Sequence, residues 1–520
     1  RNLFLFSSTR SRKLAGNLFK SQYVPPLPSY ATGECGDKDV MHVNFGYYQS
    51  WAQWREEDCN PVPVDSLNAS VYTHLAYSFA WINEKYELEA YNGNIREEEL
   101  SYKKFMSLKQ QNPFLKLLIT VGGWTFSDPG PTFRRFSEAV EDANRPTFVN
   151  SILAFCEKYG FEGIDLDWEF PGDYGRGGKP EDKKGYADLA EDLRKEFDKA
   201  GHKDWDISIA IPLHQRLVDY GYDLGRLAES VDFLNLMAYN LHGNWEEEAN
   251  AHTNLTDIMN YLVYFLEDWK FPPEKLLLGL APYGRTYLME DKDCLTYNCP
   301  FKASGPGGCL DNANFMTYFS IQQRIEAKDY TSYTPFNTET ATAEMVIDGN
   351  VLIDFDSTLS MAYKAHFARE ACFGGIMWWA VDMMREPIIL AEIERNFPTY
   401  EPTNSPTKEP TGVPSIVPTL SPSATLSTPP TSFPSSTGSS VPTLVPTAGP
   451  TIAPSKSAGP TTGTMSPTMI VSTAPTLLIS AAPSDTPTSL PTDVQTVIMS
   501  STPTLTENVV PSQDLNRSIS

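Results

Sequence analysis

Basic residues are scarce in this sequence. Its 520 residues include 41 Lys and Arg against 65 Asp and Glu, so the formal net charge at pH 7 is −24. Proteins that bind nucleic acid or another polyanion need basic patches to neutralise it. The charge therefore argues against a nucleic-acid partner and favours a neutral polymer or a small neutral ligand.

Long hydrophobic runs are also missing. No stretch approaches the roughly 20 apolar residues that a membrane-spanning helix needs. We therefore expect no membrane span.

Cysteine is infrequent, and none of the seven cysteines forms the C-x-x-C pair typical of many zinc sites and redox motifs. Bridges are plausible among Cys294, Cys299 and Cys309. They are also plausible for Cys35 and Cys59, which flank an early strand. Cys156 and Cys372 lie in helical patterns and are predicted to be buried thiols. The sequons are at Asn68, Asn254 and Asn516, and such sites fit a secreted protein.

The C-terminal part almost lacks aromatic and charged residues. Of the 41 prolines, 22 lie between Pro398 and Pro511, and many recur every four residues among Ser and Thr. Such a segment has too little apolar surface to form a core. We predict a disordered, partly polyproline-II stalk, either O-glycosylated or a plain tail.

Strand-like and helix-like stretches alternate through the remaining chain. The helical patterns include 146–159, 181–200 and 358–372. Eight such alternations predict an α/β fold, a (β/α)8 TIM barrel, although a doubly wound sheet alternates in the same way. The predicted strands are 42–49, 74–82, 116–123, 161–169, 206–212, 233–239, 276–284 and 375–382.

One gap interrupts this alternation. Residues from about 286 to 352 are too many for an ordinary βα connection and predict a small α+β insertion between strands 7 and 8. We divide the chain into an N-terminal extension (1–40), the barrel (41–397) and the stalk (398–520).

The predicted fourth strand carries a row of acids. Because alternate residues of a strand share one face, Asp165, Asp167 and Glu169 lie together, about 6.7 Å apart in succession. Like charges at this spacing raise the pKa of a member, as a proton donor at neutral pH requires. Glu169, at the predicted barrel mouth, is the candidate general acid. The alternatives are a solvated strand face or a metal site.

The segment 161–169, F-E-G-I-D-L-D-W-E, resembles the D-x-x-D-x-D-x-E signature of glycoside hydrolase family 18, the chitinase family. Five further stretches resemble the family's strand ends in order. They are G-Y-Y-Q-S-W (46–51), K-L-L-I-T-V-G-G-W (116–124), N-L-M-A-Y (235–239), Y-G-R (283–285) and G-G-I-M-W-W (374–379).

The resemblance implies a role for each catalytic residue. Glu169 would protonate the glycosidic oxygen. Asp167 would turn towards the substrate's 2-acetamido group, sharing a proton with Asp165, and Tyr239 would hydrogen-bond the same group. In the family the acetamido carbonyl is the nucleophile, so these enzymes are an exception among retaining glycosidases. We expect no cofactor and no metal.

The resemblance also implies a substrate cleft lined by aromatic residues, which stack on sugar rings. Trp379 would form the floor where the bond breaks, with Trp51, Trp54 and Trp245 farther along. The other expected substrate-binding residues are Tyr47, Phe79, Trp124, Met237, Asn240, Tyr283 and Arg285.

The sequence departs from the family pattern at three positions. Glu162 replaces the first Asp of the signature and Thr120 the Ser of S-x-G-G, and neither change is expected to matter for catalysis. Asn240 replaces the Asp of M-x-Y-D. This change removes a negative charge near Glu169.

The sequence therefore predicts a monomeric, extracellular chitinase, secreted or held in a wall or matrix, that acts on chitin or chito-oligosaccharides. Two alternatives remain. A chitin-binding lectin of the same fold would have lost activity, and an endo-β-N-acetylglucosaminidase would act on N-glycans. Since no cysteine follows Cys372, we expect no disulfide-stapled chitin-binding module in the C-terminal part.

Overall fold

The computed structural model describes residues 25–91, 95–310 and 314–384. The predicted stalk, and the part of the N-terminal extension before residue 25, lie outside the described residues. The boundaries proposed for these two segments therefore stay predictions.

Eight parallel strands form a closed barrel. β1 (Val43–Gln49) pairs with β2 (His74–Ile82) on one side and with the last strand on the other, which closes the ring. The predicted (β/α)8 barrel is confirmed. The remaining strands, in order around the ring, are β3 (Lys116–Gly122), β4 (Gly163–Asp167), β5 (Asp206–Pro212), β6 (Phe233–Met237), β7 (Leu276–Leu280) and β8 (Gly375–Trp378).

The strands are rich in Val, Ile and Leu because most of their side chains are buried on both faces. In β3, Leu117 and Ile119 pack towards the surrounding helices, whereas Leu118 points into a separate cluster inside the barrel. This alternation of two buried faces is the expected pattern for a parallel barrel. The carboxyl-terminal ends of the strands form the mouth of the barrel.

Helices surround the barrel. Ser357 caps the last of them through its side chain, and Gly160 ends the helix before β4 in a left-handed conformation. Within the described residues the α-helices are Ile95–Ser107, Arg135–Ala139, Arg145–Tyr159, Asp182–Ala200, Gln215–Gly221, Leu224–Ser230, Leu255–Val263 and Thr358–Glu370, together with Tyr318–Ala327 of the insertion. A short strand, Leu88–Ala90, pairs antiparallel with β2.

β3, β6 and β8 end one, two and four residues before their predicted ends, at Gly122, Met237 and Trp378. Two further strands also end early. β4 ends at Asp167, so Glu169 lies two residues beyond the strand rather than at its last position. β7 ends at Leu280, and Tyr283 already belongs to the next sheet. Both strands stop where the chain turns outward at the mouth, which an apolar pattern in the sequence does not mark.

The insertion between β7 and β8 is an antiparallel sheet with one helix, as predicted. The central strands Tyr283–Met289 and Val351–Phe355 pair with each other, so the sheet begins and ends a few residues outside the expected range. The helix Tyr318–Ala327 packs on it. The other strands are Cys299–Ser304, Met316–Thr317, Ser332–Thr334 and Ala343–Ile347, joined by Glu248–Ala249 from the loop after β6.

The disulfides correct part of the cysteine prediction. Cys35 pairs with Cys372, which was predicted to be a buried thiol, and the suggested pairing around Cys59 is wrong. The bridge ties the N-terminal extension to the last barrel helix, where the Gly33 N–H also donates to the Glu370 carbonyl at 2.9 Å. Cys156 is a buried free thiol, as predicted.

The predicted cysteine cluster of the insertion contains one bridge, Cys294–Cys299. Cys309 is free and exposed. Its thiol lies beside that of Cys59, whose pKa is raised to about 12, first by burial and then by this contact.

No helix within the described ranges is long and apolar enough to cross a bilayer.

Candidate active site

The row of acids lies at the mouth of the barrel. Asp165 is fully buried, Asp167 is 5 % exposed, and Glu169 is partly exposed just beyond the strand. Their neighbours Leu166 and Trp168 point the other way into the core. The alternation of β4 thus places the three carboxyl groups along one path from the barrel interior to the surface.

Asp165 is held by side chains from the next two strands. Ser208 Oγ of β5, directly opposite in register, donates to Asp165 Oδ1 at 2.5 Å, and Asn235 Nδ2 of β6 donates at 3.1 Å. Asn235 Nδ2 also donates to the Tyr47 hydroxyl at 2.8 Å. Burial raises the pKa of Asp165 to about 6, and these hydrogen bonds act in the opposite direction.

Asp167 has no comparable support. Burial, followed by the charges of Glu169 and Asp165, holds its pKa well above the ordinary value. Asp167 Oδ1 and Asp165 Oδ2 are both buried without a hydrogen-bond partner. Because an unpaired buried oxygen is costly, a proton held between these two groups would satisfy both oxygens.

Glu169 has the environment of a proton donor. Burial raises its pKa to about 7, Arg176 lowers the pKa and Asp128 raises it. A carboxyl group with a pKa near neutrality carries a proton for part of the time and can give it up. Glu169 and Asp167 influence each other's protonation and therefore titrate as a pair.

Aromatic rings form a floor beside these acids. Trp379 follows β8 and is partly exposed, with Tyr47 at 5.4 Å and Phe79 at 5.8 Å between ring centroids. Trp51 stacks on Phe79 at 6.0 Å between ring centroids and extends the aromatic surface. The structure thus brings together the side chains predicted for the sugar platform. The peptide bonds that follow Ser78, Glu169 and Trp379 are cis.

Two glycines at the end of β3 allow this close packing. Gly122 and Gly123 both have positive φ angles, at 109° and 89°. A Cβ atom on Gly122 would lie 2.3 Å from the Asp167 carbonyl oxygen, and one on Gly123 would lie 2.7 Å from Phe79 Cζ. Only glycine combines a positive φ angle with the absence of a Cβ atom that both positions require. Trp124 follows them, partly exposed, at the start of a short 3-10 helix.

The opposite wall comes from β6 and the insertion. Tyr239 is 8 % exposed, and its hydroxyl donates to Met377 Sδ at 3.9 Å. Met237 at the end of β6 packs in the same interior cluster, and Tyr283 lies 6.2 Å from Tyr239 between ring centroids. The first strand of the insertion therefore completes the site.

Asn240 is held by this wall. Its Oδ1 accepts hydrogen bonds from the Tyr283 hydroxyl at 2.9 Å and from Arg285 Nη2 and Nε at 2.7 and 3.1 Å. Arg285 is 2 % exposed and also lies 5.7 Å from the Trp245 ring. A neutral amide thus occupies the position where a carboxylate would have formed an ion pair with buried Arg285.

The other two tryptophans predicted to line the cleft are exposed. Trp54 is 65 % exposed and Trp245 is 43 % exposed. Trp54 ends the short helix after β1, and Trp245 lies in the loop after β6. Both side chains are open to solvent.

Sequence reasoning missed four residues of the site, Ser208, Asn235, Arg176 and Asp128. Ser208 could have been found, because it lies on β5 and a small polar residue in an apolar strand is unusual. Arg176 is a basic residue in the loop G-D-Y-G-R-G-G, seven residues after Glu169. Among the residues that the structure describes, no group of three or more His, Cys, Asp or Glu side chains could hold a metal ion.

The chain matches known proteins across the barrel. The family model described as Glycosyl hydrolases family 18 matches residues 43–383. Chitotriosidase-1 of Mus musculus is 31 % identical over 358 residues, which cover 65 % of this chain and 72 % of the relative. The endochitinase of Manduca sexta is 26 % identical over 355 residues (65 % and 63 %). The oviduct-specific glycoprotein of Mus musculus is 28 % identical over 354 residues (65 % and 46 %). The match therefore spans less than two thirds of these last two relatives.

Solved structures give the same result. Catalytic domain 2 of the Group II chitinase from Ostrinia furnacalis has a TM-score of 0.59 and 28 % identity, covering 65 % of this chain and 89 % of that structure. A chitinase mutant from Cycas revoluta in complex with (GlcNAc)4 has a TM-score of 0.57 and 26 % identity, covering 68 % and 98 %. The family model includes both the acid row and the insertion, and the chain belongs to glycosyl hydrolases family 18.

Proposed function

We propose that this protein is a chitinase that cleaves β-1,4 links between N-acetylglucosamine units by a substrate-assisted, retaining mechanism. The observation that carries the proposal is the position of Glu169. This residue lies at the barrel mouth, beyond the buried pair Asp165 and Asp167 and beside the aromatic floor. Its pKa is raised to about 7. Related chitinases in complex with chito-oligosaccharides support the substrate class.

In the first step Glu169 gives its proton to the glycosidic oxygen. The carbonyl oxygen of the substrate's acetamido group attacks the anomeric carbon, the bond to the leaving sugar breaks, and an oxazolinium ion forms. Since Asp165, Asp167 and Glu169 all come from one chain segment and approach from one side, none of them is placed to attack from the opposite face.

Asp167 stabilises the positive oxazolinium by turning towards the acetamido N–H. This turn requires that Asp165 takes the shared proton, for which its unpartnered Oδ2 is available. Tyr239 donates its hydroxyl to the acetamido group in place of its long contact to Met377 Sδ. In the second step ionised Glu169 accepts a proton from water, which attacks the anomeric carbon and restores its configuration.

We also propose that the protein is secreted and acts as a monomer. Two disulfides in the described part of the chain support an oxidising compartment. The exposed sequon residue Asn68 is open to glycosylation.

The function is tested by incubating the full chain with colloidal chitin, (GlcNAc)4 and an N-glycosylated protein, and measuring reducing ends and released glycans. Cleavage of the first two is expected. Binding of (GlcNAc)4 without cleavage would indicate a lectin of the same fold. Release of N-glycans with chitin left intact would indicate the endoglycosidase.

Asn240 gives a separate prediction about pH dependence. Asn240→Asp adds a negative charge near Glu169, which raises the pKa of Glu169 and moves the alkaline limb of kcat/KM to higher pH. Arg285 contacts the same side-chain oxygen and would neutralise part of the new charge. We therefore expect a shift of roughly half a pH unit. An alkaline limb that stays in place in Asn240→Asp rules the idea out.

A further inference from the structure

Arg176 contacts the main chain of the proposed general acid, and each of its three guanidinium nitrogens has a hydrogen-bond partner. It is 5 % exposed. Its Nε donates to the Glu169 carbonyl oxygen at 3.0 Å, its Nη1 contacts Asp128 Oδ1 at 2.6 Å, and its Nη2 donates to the Trp124 carbonyl oxygen. One side chain thus joins the loop after β3 to the loop after β4.

The same guanidinium lies over the Trp124 ring, with Cζ 3.7 Å from the ring centroid. Phe170 contacts the ring from another side at 6.3 Å. One face of Trp124 is therefore covered by Arg176. The orientation of this ring depends on Arg176 because cation–π contacts and the hydrogen bond to Trp124 act together.

The loop that carries Arg176 is itself fixed. Asp173 caps the short helix Tyr174–Arg176, and its side chain accepts from the Gly175 N–H at 2.9 Å. Gly177 follows with a φ of 79°, and a Cβ atom there would lie 1.8 Å from the Phe133 carbonyl oxygen. The backbone geometry of this loop therefore fixes Arg176 independently of its contact with Glu169.

We propose that Arg176 is a positioning residue of the reaction, which fixes the Glu169 main chain and the Trp124 ring in one arrangement. The inference rests on the proposed function, since it concerns the acid of that reaction. It adds a residue that the acid row does not contain.

The Arg176–Asp128 pair also places two opposite charges near the Glu169 carboxyl. Arg176 lowers the pKa of Glu169, and Asp128 raises it. Asp167 faces Glu169 from the end of β4, and the phenol groups of Tyr222, Tyr239 and Tyr283 face it from neighbouring elements. Removing either member of the pair changes the charge while these other groups stay in place.

The test compares pH profiles of kcat and kcat/KM on (GlcNAc)4 for four variants of the full chain. In Arg176→Gln the positive charge is lost, so the alkaline limb should move up by about one pH unit, and kcat should fall at least about 10-fold because Glu169 is less well placed. In Asp128→Asn the limb should move down, and by less, because the Asp128 side chain is 43 % exposed.

Arg176→Lys separates the two effects. It keeps the charge and should leave the alkaline limb near that of the wild type, but it cannot make all three hydrogen bonds and should lower kcat. Lys179→Gln is the matched control. Lys179 lies on the same loop and pairs with Glu141 on the surface, so its loss should change neither quantity.

Wild-type kcat and an unmoved alkaline limb in Arg176→Gln would overturn the inference, as would shifts of the same sign in Arg176→Gln and Asp128→Asn. If Arg176→Gln fails to fold, Arg176→Lys decides the matter, because it keeps the charge and loses hydrogen bonds, and a wild-type kcat in it would overturn the inference. A wild-type protein that cleaves no sugar would refute the proposed function instead. The pKa of Glu169 is then compared by ¹³C NMR in the wild type and Arg176→Gln, and an equal value in both overturns the inference.

Discussion

Glu169→Gln is expected to lower kcat on (GlcNAc)4 by about 10³-fold, because general acid catalysis contributes on the order of 10²- to 10⁴-fold. Glutamine has nearly the same size as glutamic acid but cannot give up a proton to the glycosidic oxygen. Since the aromatic floor and Tyr239 remain, KM should change little. The measurement is the release of reducing ends, with affinity for (GlcNAc)4 determined in parallel.

The same substitution should not weaken the fold. Because the pKa of Glu169 is raised from 4.5 to about 7, the ionised side chain destabilises the native state as the pH rises through this range. Glutamine never ionises. The Tm of Glu169→Gln should therefore equal that of the wild type below about pH 4.5 and exceed it above about pH 7. A lower Tm at pH 8 would contradict this explanation of the raised pKa.

Glu162→Gln is the matched control for the acid. Glu162 immediately precedes β4, lies out of phase with the acid row, and forms an ion pair with Lys109. Its amide variant should retain wild-type kcat. Retained activity in Glu169→Gln as well would show that another group supplies the proton, whereas binding without cleavage in the wild type would indicate a lectin.

Asp167→Asn is expected to lower kcat by about 10²- to 10³-fold, the range found when one preorganised group that stabilises developing charge is removed. Asparagine cannot supply negative charge to the oxazolinium ion, and it cannot exchange a proton with Asp165. The loss should appear in kcat rather than in KM, because the charge develops only as the bond breaks.

Asp167→Asn should also change the pH profile. The charge of Glu169 raises the pKa of Asp167. The repulsion is mutual, so ionised Asp167 disfavours ionisation of Glu169, and the two groups titrate as a pair. Without that charge the pKa of Glu169 falls, so the alkaline limb of the residual activity should move to lower pH. Near wild-type kcat with an unchanged profile would mean that Asp167 only fills space in the barrel.

The sequence determined the alternation of strands and helices and the acid row, because both depend on short-range periodicity, whereas periodicity alone did not distinguish a barrel from a doubly wound sheet. Strands buried on both faces read as apolar runs, and alternation along β4 places Asp165 and Asp167 on one face whatever the rest of the chain does. The length of the segment between β7 and β8 was enough to predict the insertion. The family resemblance implied Trp379 and Trp124 as site residues, and in the structure each lies just beyond a barrel strand at the mouth.

Only the tertiary structure decided the contacts between distant segments. The bridge between Cys35 and Cys372 spans 337 residues, and Arg176 contacts Asp128 across 48 residues. Such pairs depend on how the closed barrel brings loops together, and local sequence patterns carry no information about it. The partners of Asn240 and the buried, unpartnered oxygens of Asp165 and Asp167 likewise follow from packing. Packing and burial set the proton affinity of Glu169, whereas the sequence could only indicate which residue carries the proton.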